Sequence, residues 1–110
     1  MQIDKTLLDD VVVVRLIGKL DVAGSRAAQD AISPAITPGG KLVVDMTHCD
    51  YVASSGLRAL LITAKQAAMT GCAAVLCGVQ PLVWDVIAMT GFEDVLKAFP
   101  TQADALAALA

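Results

Sequence analysis

The sequence predicts an α/β fold in a single domain, a mixed sheet of four to five strands with about four flanking α-helices. Apolar runs too short for a helix alternate along the chain with segments whose apolar residues recur at helical spacing. Turn residues fall between these segments at Asp9-Asp10, Ser33-Pro34, Pro38-Gly39-Gly40 and Thr70-Gly71. A chain of 110 residues fits one domain with a core of its own, and neither a linker nor an internal repeat interrupts it.

Taken in order, Gln2 to Leu7 alternates loosely, Asp9-Asp10 supplies a turn, and Val11 to Ile17 is rich in β-branched residues. These predict an antiparallel pair. Gly18 ends the second strand, and Asp21 precedes a helix on which Val22, Ala23, Ala27, Ala28, Ala31 and Ile32 share one side until Ser33-Pro34 stops it. Lys41 to Met46 is apolar on successive residues, the pattern of a parallel strand covered on both faces. The next helix carries Leu57, Leu60, Leu61, Ala64 and Ala68 as its expected buried stripe and ends at Thr70-Gly71. Cys72 to Cys77 is another apolar strand. Pro81 suits the first turn of a helix carrying Leu82, Val83, Val86 and Ile87, with Gly91 at its end. A short strand at Val95 to Ala98 is expected next. Thr101-Gln102-Ala103-Asp104 has the form of a capping box and opens a last amphipathic helix, with Leu106 and Leu109, over one face.

Hydrophobic residues make up 56% of the chain, yet they are spread over short runs. None approaches the ~20 consecutive apolar residues of a membrane span. The start, Met1-Gln2-Ile3-Asp4-Lys5, lacks a basic region followed by an apolar stretch, so no secretion signal is read and a cytoplasmic location is expected. The formal charge of −3 comes without a cluster of Lys or Arg, which argues against nucleic acid and anionic membranes as partners. Cys49, Cys72 and Cys77 form neither an even set nor a CxxC pair and read as reduced core residues.

Chemistry concentrates in Thr47-His48-Cys49-Asp50-Tyr51-Val52-Ala53-Ser54-Ser55-Gly56-Leu57, between the strand ending near Met46 and the helix that follows. Ser54 or Ser55 stands at the expected N-cap, where backbone N–H groups and the positive end of the helix dipole converge on a hydroxyl. Such a position accepts an anion. A serine that simply caps the helix is the ordinary alternative, and the residues alone leave both open. On the same helix Ser54, Arg58, Ile62, Lys65 and Met69 share the side opposite the leucines, and Ile62 and Met69 interrupt its polarity. That side reads as solvated surface or as a docking face. Trp84, off the Val83, Val86 and Ile87 side, is either an anchor for a partner or packed under the C-terminal helix.

An enzyme is the main alternative class, because Asp45, His48, Cys49 and Asp50 place a nucleophile, a base and carboxylates at a strand end. Adjacent residues on an extended segment point to opposite sides, however, so His48, the only histidine, is poorly placed to activate Cys49. No second histidine or spaced cysteine pair completes a metal site. Gly39-Gly40 lacks the Lys-Ser/Thr pair of a phosphate-binding loop, so neither a metal nor a cofactor is expected.

The segment Leu42-Val43-Val44-Asp45 through Tyr51-Val52-Ala53-Ser54-Ser55-Gly56-Leu57, with Gly18-Lys19-Leu20-Asp21 and Met89-Thr90-Gly91-Phe92, resembles the STAS family of anti-sigma factor antagonists over nearly the whole chain. The resemblance implies a STAS-like mixed sheet flanked by helices and a non-enzymatic regulatory role. It implies phosphorylation of Ser54 by a partner that is both anti-sigma factor and serine kinase, of the histidine-kinase-like ATPase type, with a serine phosphatase as counterpart. Docking would use Asp21, Ser55, Gly56, Arg58, Ile62 and Lys65. Antagonists of this kind usually carry an acid just before the acceptor serine, where this chain has Ala53. Related domains without the switch act as constitutive scaffolds or as cytoplasmic parts of transport systems, which is the alternative reading.

Overall fold

The computed structural model describes residues 1–89, 91 and 96–110. Strands β1 (Gln2–Leu8) and β2 (Val11–Leu20) form the expected antiparallel pair, with Asp9 at positive φ in the turn between them. Helix α1 (Val22–Ile32) leads to β3 (Lys41–Asp45), a short strand β4 (Cys49–Val52) and helix α2 (Ser54–Thr70). Strand β5 (Ala73–Cys77), helix α3 (Pro81–Ala88), strand β6 (Ala98–Phe99) and helix α4 (Gln102–Leu109) complete the order.

The sheet runs β1-β2-β3-β5-β6, antiparallel at the first pair and parallel at the others, while β4 pairs off this path with β2. The described residues thus hold six strands, one more than the upper expectation, and the addition is β4. From the sequence alone, Cys49 to Val52 reads as part of a loop. With only four residues, buried at both ends and exposed between them, the strand exists because β2 is long. Its first half pairs with β3 at Val11 to Arg15, the register shifts between Gly18 and Lys19, and its end at Leu20 is left to pair with Val52 of β4.

Two apolar layers flank the sheet. Val14, Leu16, Leu20, Leu42, Val44, Met46 and Leu76 point to the side covered by α1, α2 and α3, where Ile32, Leu60 and Ile87 meet them. Val11, Val13, Val43, Val75 and Cys77 point the other way, under Ala105, Leu106 and Leu109 of α4. Leu42, Val43 and Val44 are all buried, as an unbroken apolar strand requires when both faces are covered. The hydroxyl of Thr101 accepts the Asp104 N–H at 3.1 Å and so caps α4 as its sequence predicts.

The buried sides of two helices differ from expectation. In α1 the inward residues are Gly24, Ser25, Ala28 and Ile32, whereas Val22 is 74% exposed and Ala23 also faces out. In α2 they are Gly56, Ala59, Leu60, Thr63, Ala64 and Ala67, whereas Leu61 and Ala68 are exposed and Leu57 is half-buried. Size decides over hydrophobicity here. A Cβ on Gly24 would lie 2.3 Å from the Lys19 carbonyl oxygen, and one on Gly56 would lie 2.7 Å from that of Leu20. Both helices therefore turn their smallest residues toward the end of β2. Val95, expected to begin a strand, lies outside the described residues, as do Thr90 and Phe92; β6 begins at Ala98.

Candidate functional site

The site grows from one register pair. Leu20 and Val52 are partners in the β2–β4 ladder, and the residue after each, Asp21 and Ala53, is the N-cap of α1 and α2 respectively. The Ala53 N–H donates to the Leu20 carbonyl at 3.0 Å, which binds the two departures together. Two helix N-termini, each a positive dipole end, therefore start from neighbouring strand ends on one rim of the sheet.

At the first start, Asp21 is extended and its Oδ1 accepts the Gly24 N–H at 2.8 Å. Its carbonyl accepts the Ser25 N–H at 2.8 Å and the Ser25 hydroxyl as well. At the second, the cap is Ala53 and not a serine: Ala53 is extended at φ −82°, ψ 173°, and no side chain caps α2. The expected serine N-cap is thus corrected by one residue. Ladder pairing holds the chain extended through Val52 and the Ala53 N–H on Leu20, so Ser54 is already the first helical residue.

That displacement separates the roles of the two serines. Ser54 is exposed, and among the described residues its hydroxyl has no hydrogen-bond partner. Ser55 is half-buried, with its hydroxyl 3.4 Å from that of Ser25 on α1. Arg58, one turn on, is exposed and lines a depression together with Ser54 and Ser55. Lys65 is exposed and Ile62 half-buried along the same side, which ends at Met69, 88% exposed. Gly56 was expected among docking residues, but it is buried against Leu20 and acts by letting α2 approach.

Two further features surround this rim. Trp84 packs against the apolar layer shared by α1, α2 and α3, and not under α4, which covers the opposite layer. The outer side of α3 instead carries Leu82 at 80% and Met89 at 86% exposure, and a groove between α3 and β4 is lined by Tyr51, Leu82 and Val86. From the sequence, Leu82 and Val86 read only as apolar residues of this helix beside Val83 and Ile87. Their signal was visible, since Pro81 to Ala88 has a single charged residue, Asp85, and so no polar side to turn outward.

The strand-end group considered for catalysis is dispersed. His48 is exposed and Cys49 buried, with the Cys49 thiol 3.5 Å from the Tyr51 carbonyl and its pKa raised, chiefly by burial. Asp45 is held by Thr47 N–H at 2.9 Å and Gln102 Nε2 at 3.1 Å, and Asp50 pairs with Lys19 at 3.9 Å. All three cysteines are free thiols in the interior, as expected. Among the described residues no three His, Cys, Asp or Glu side chains converge as metal ligands, and no helix is long and apolar enough to cross a membrane.

Comparison with known proteins agrees with this architecture, for the STAS domain profile matches residues 2–105. The chain belongs to the STAS domain family. BtrV of Bordetella bronchiseptica, named as a candidate anti-sigma factor antagonist, is 30% identical over 101 residues, covering 91% of this chain and 84% of that protein. An anti-sigma factor antagonist from Mycobacterium paratuberculosis superimposes with a TM-score of 0.88 at 25% identity, over 98% of this chain and 92% of that one. The phosphorylated form of the Bacillus cell fate determinant SpoIIAA shares the fold with a TM-score of 0.74 at 21% identity, over 99% of this chain and 98% of its own. This STAS domain therefore has the anti-sigma factor antagonist type of fold.

Proposed function

We propose that this STAS domain is a non-enzymatic, cytoplasmic anti-sigma factor antagonist that binds an anti-sigma factor with serine kinase activity and is switched by phosphorylation of Ser54. The observation that supports this reading is the exposed, unbonded Ser54 hydroxyl on the rim where α1 and α2 begin. In this reading the docking surface is made of Ser55 and Arg58 beside it, Asp21 at the neighbouring helix start, and Ile62 and Lys65 farther along α2. The kinase is of the histidine-kinase-like ATPase type, and a serine phosphatase resets the switch. With Ala53 in place of an acid beside the acceptor, recognition falls to Asp21 and to the exposed side of α2.

Phosphate on Ser54 adds about −1.5 to −2 charge at pH 7. In the free domain that charge meets the N-terminus of α2 and the Arg58 guanidinium, so the fold accepts it. In a complex, burial without a matching cation costs several kcal/mol. About 5.5 kcal/mol is enough to carry a two-state equilibrium from one extreme to the other. Dissociation thus needs no refolding of the domain.

The test is incubation of the chain with its cognate kinase and ATP, read by intact mass. One phosphate on the wild type and none on Ser54→Ala is the expected result, with Ser54→Asp binding the kinase more weakly. Absence of any mass shift under all growth states, with partner binding insensitive to Ser54→Asp, would favour a constitutive scaffold or transporter-associated module.

A further inference from the structure

The seam between α1 and α2 carries a charge arrangement that stands apart from the rest of this acidic chain. A groove there is lined by Ser25, Arg26 and Asp30 from α1 and by Ser55 and Arg58 from α2. Arg58 also lines the adjoining depression at Ser54, so the two hollows share this residue. Arg15, Lys19 and Lys41 each face a carboxylate, whereas among the described residues Arg26 and Arg58 have neither an ion pair nor a hydrogen bond and, unlike the similarly unpaired Lys65 and Lys97, line one groove together. Asp30 lies one turn from Arg26 and pairs with neither arginine. Asp21 turns its carboxylate to the Gly24 N–H and is not among the residues that line the groove.

Two exposed arginines from different helices, lining one groove and without a partner among the described residues, offer planar forked donors suited to a carboxylate. We propose that this groove receives an acidic side chain, Asp or Glu, of the protein partner, and that phosphate on Ser54 expels it by taking Arg58. The inference rests on the antagonist reading above and specifies what that interface recognises. Electrostatics gives the switch its sign. Arg26 and Arg58 against Asp30 leave the groove with a surplus of one positive charge. A phosphate of roughly −1.5 to −2 beside Arg58 makes the local sum negative, so an incoming carboxylate is attracted before modification and repelled after it. The Ser25 and Ser55 hydroxyls, 3.4 Å apart on the groove wall, add polar contacts that a carboxylate can use.

The probe is the acidic dipeptide acetyl-Asp-Glu-amide, titrated at constant ionic strength into the full ¹⁵N-labelled chain, with acetyl-Asn-Gln-amide as the neutral control. Saturable shifts of the Arg26 and Arg58 Nε signals with the acidic peptide alone are expected. Arg26→Gln and Arg58→Gln each weaken them at least tenfold, and phosphoserine incorporated at Ser54 abolishes them. Both arginines are exposed, so the variants keep the dispersed spectrum of the folded domain. Equal shifts from the neutral peptide, no saturable shift, retention in the double variant, or equal binding to the phosphorylated chain each overturns the proposal. The kinase mass-shift experiment is read independently, so failure of the groove leaves the phosphorylation reading to its own test.

Discussion

The Ser25 and Ser55 hydroxyls meet at 3.4 Å across the α1–α2 seam, and Ser25 also donates to the Asp21 carbonyl. Because a hydroxyl has one proton, the proton between the two serines comes from Ser55. The chain Ser55, Ser25, Asp21 thereby couples the start of α2 to the start of α1.

Removing Ser25 should therefore cost more than removing Ser55. Ser25 is 5% exposed and serves both bonds. Ser25→Ala is expected to lose about 1–2 kcal/mol and Ser55→Ala about 0.5–1 kcal/mol, with the double variant less destabilised than the sum. Urea unfolding of the four proteins measures this; strict additivity would dissolve the coupling.

Gly56→Ala should be more harmful than its one methyl group implies. The new Cβ would stand 2.7 Å from a backbone oxygen, that of Leu20, which cannot rotate away. Overpacking of this kind costs about 1–3 kcal/mol. Thermal unfolding should register a clear drop, accompanied by amide shifts at Asp21 and Ser54.

Ser54→Asp should leave the fold intact and stabilise it slightly. An anion in the first turn of a helix is worth about 0.3–1 kcal/mol at low salt and is screened by added salt. A midpoint rise in dilute buffer that fades at high ionic strength is the expected signature, and a fall in both would contradict it.

Asp45 supplies the acid limb of stability. Burial pushes its carboxyl upward, but bonds from the Thr47 hydroxyl, the Thr47 N–H and Gln102 outweigh this and hold it below the ordinary 3.8. A depressed folded value means that the contribution is present above 3.8 and lost as pH falls through the folded value. Asp45→Asn should flatten stability against pH in that acid range and cost about 1–3 kcal/mol at neutral pH. Burial, and after it the same charge, pushes the Cys77 thiol up to about 12.

Helix α3 allows a contrast within one helix. Ile87 is fully buried and Leu82 is 80% exposed. Ile87→Ala should cost about 2–5 kcal/mol, whereas Leu82→Ala should stay within about 0.5 kcal/mol of wild type. Comparable losses at the two sites would mean that the outer side of α3 is covered in solution.

Much of this was legible in the residues. The run Leu42-Val43-Val44 announced a strand buried on both faces, Asp9-Asp10 a hairpin, and Gly71 the end of α2, because each depends on local chain chemistry. Ser54 and Asp21 could be named together only through a family resemblance. Nothing local links them; the Leu20–Val52 pairing does. Strand β4 was not legible, since four residues carry too little periodicity and its existence depends on β2 extending past β3.

By itself, the order of amino acids determined the strands and helices other than β4 and that both faces of the sheet must be covered, because those properties follow from side-chain chemistry at fixed spacing along one chain. Which helix side turns inward, which of two serines is free, and which arginines line one groove were decided only in three dimensions. The physical reason is excluded volume: Gly24 and Gly56 let two helix starts crowd the end of β2, and that close approach overrode the larger hydrophobic residues nearby.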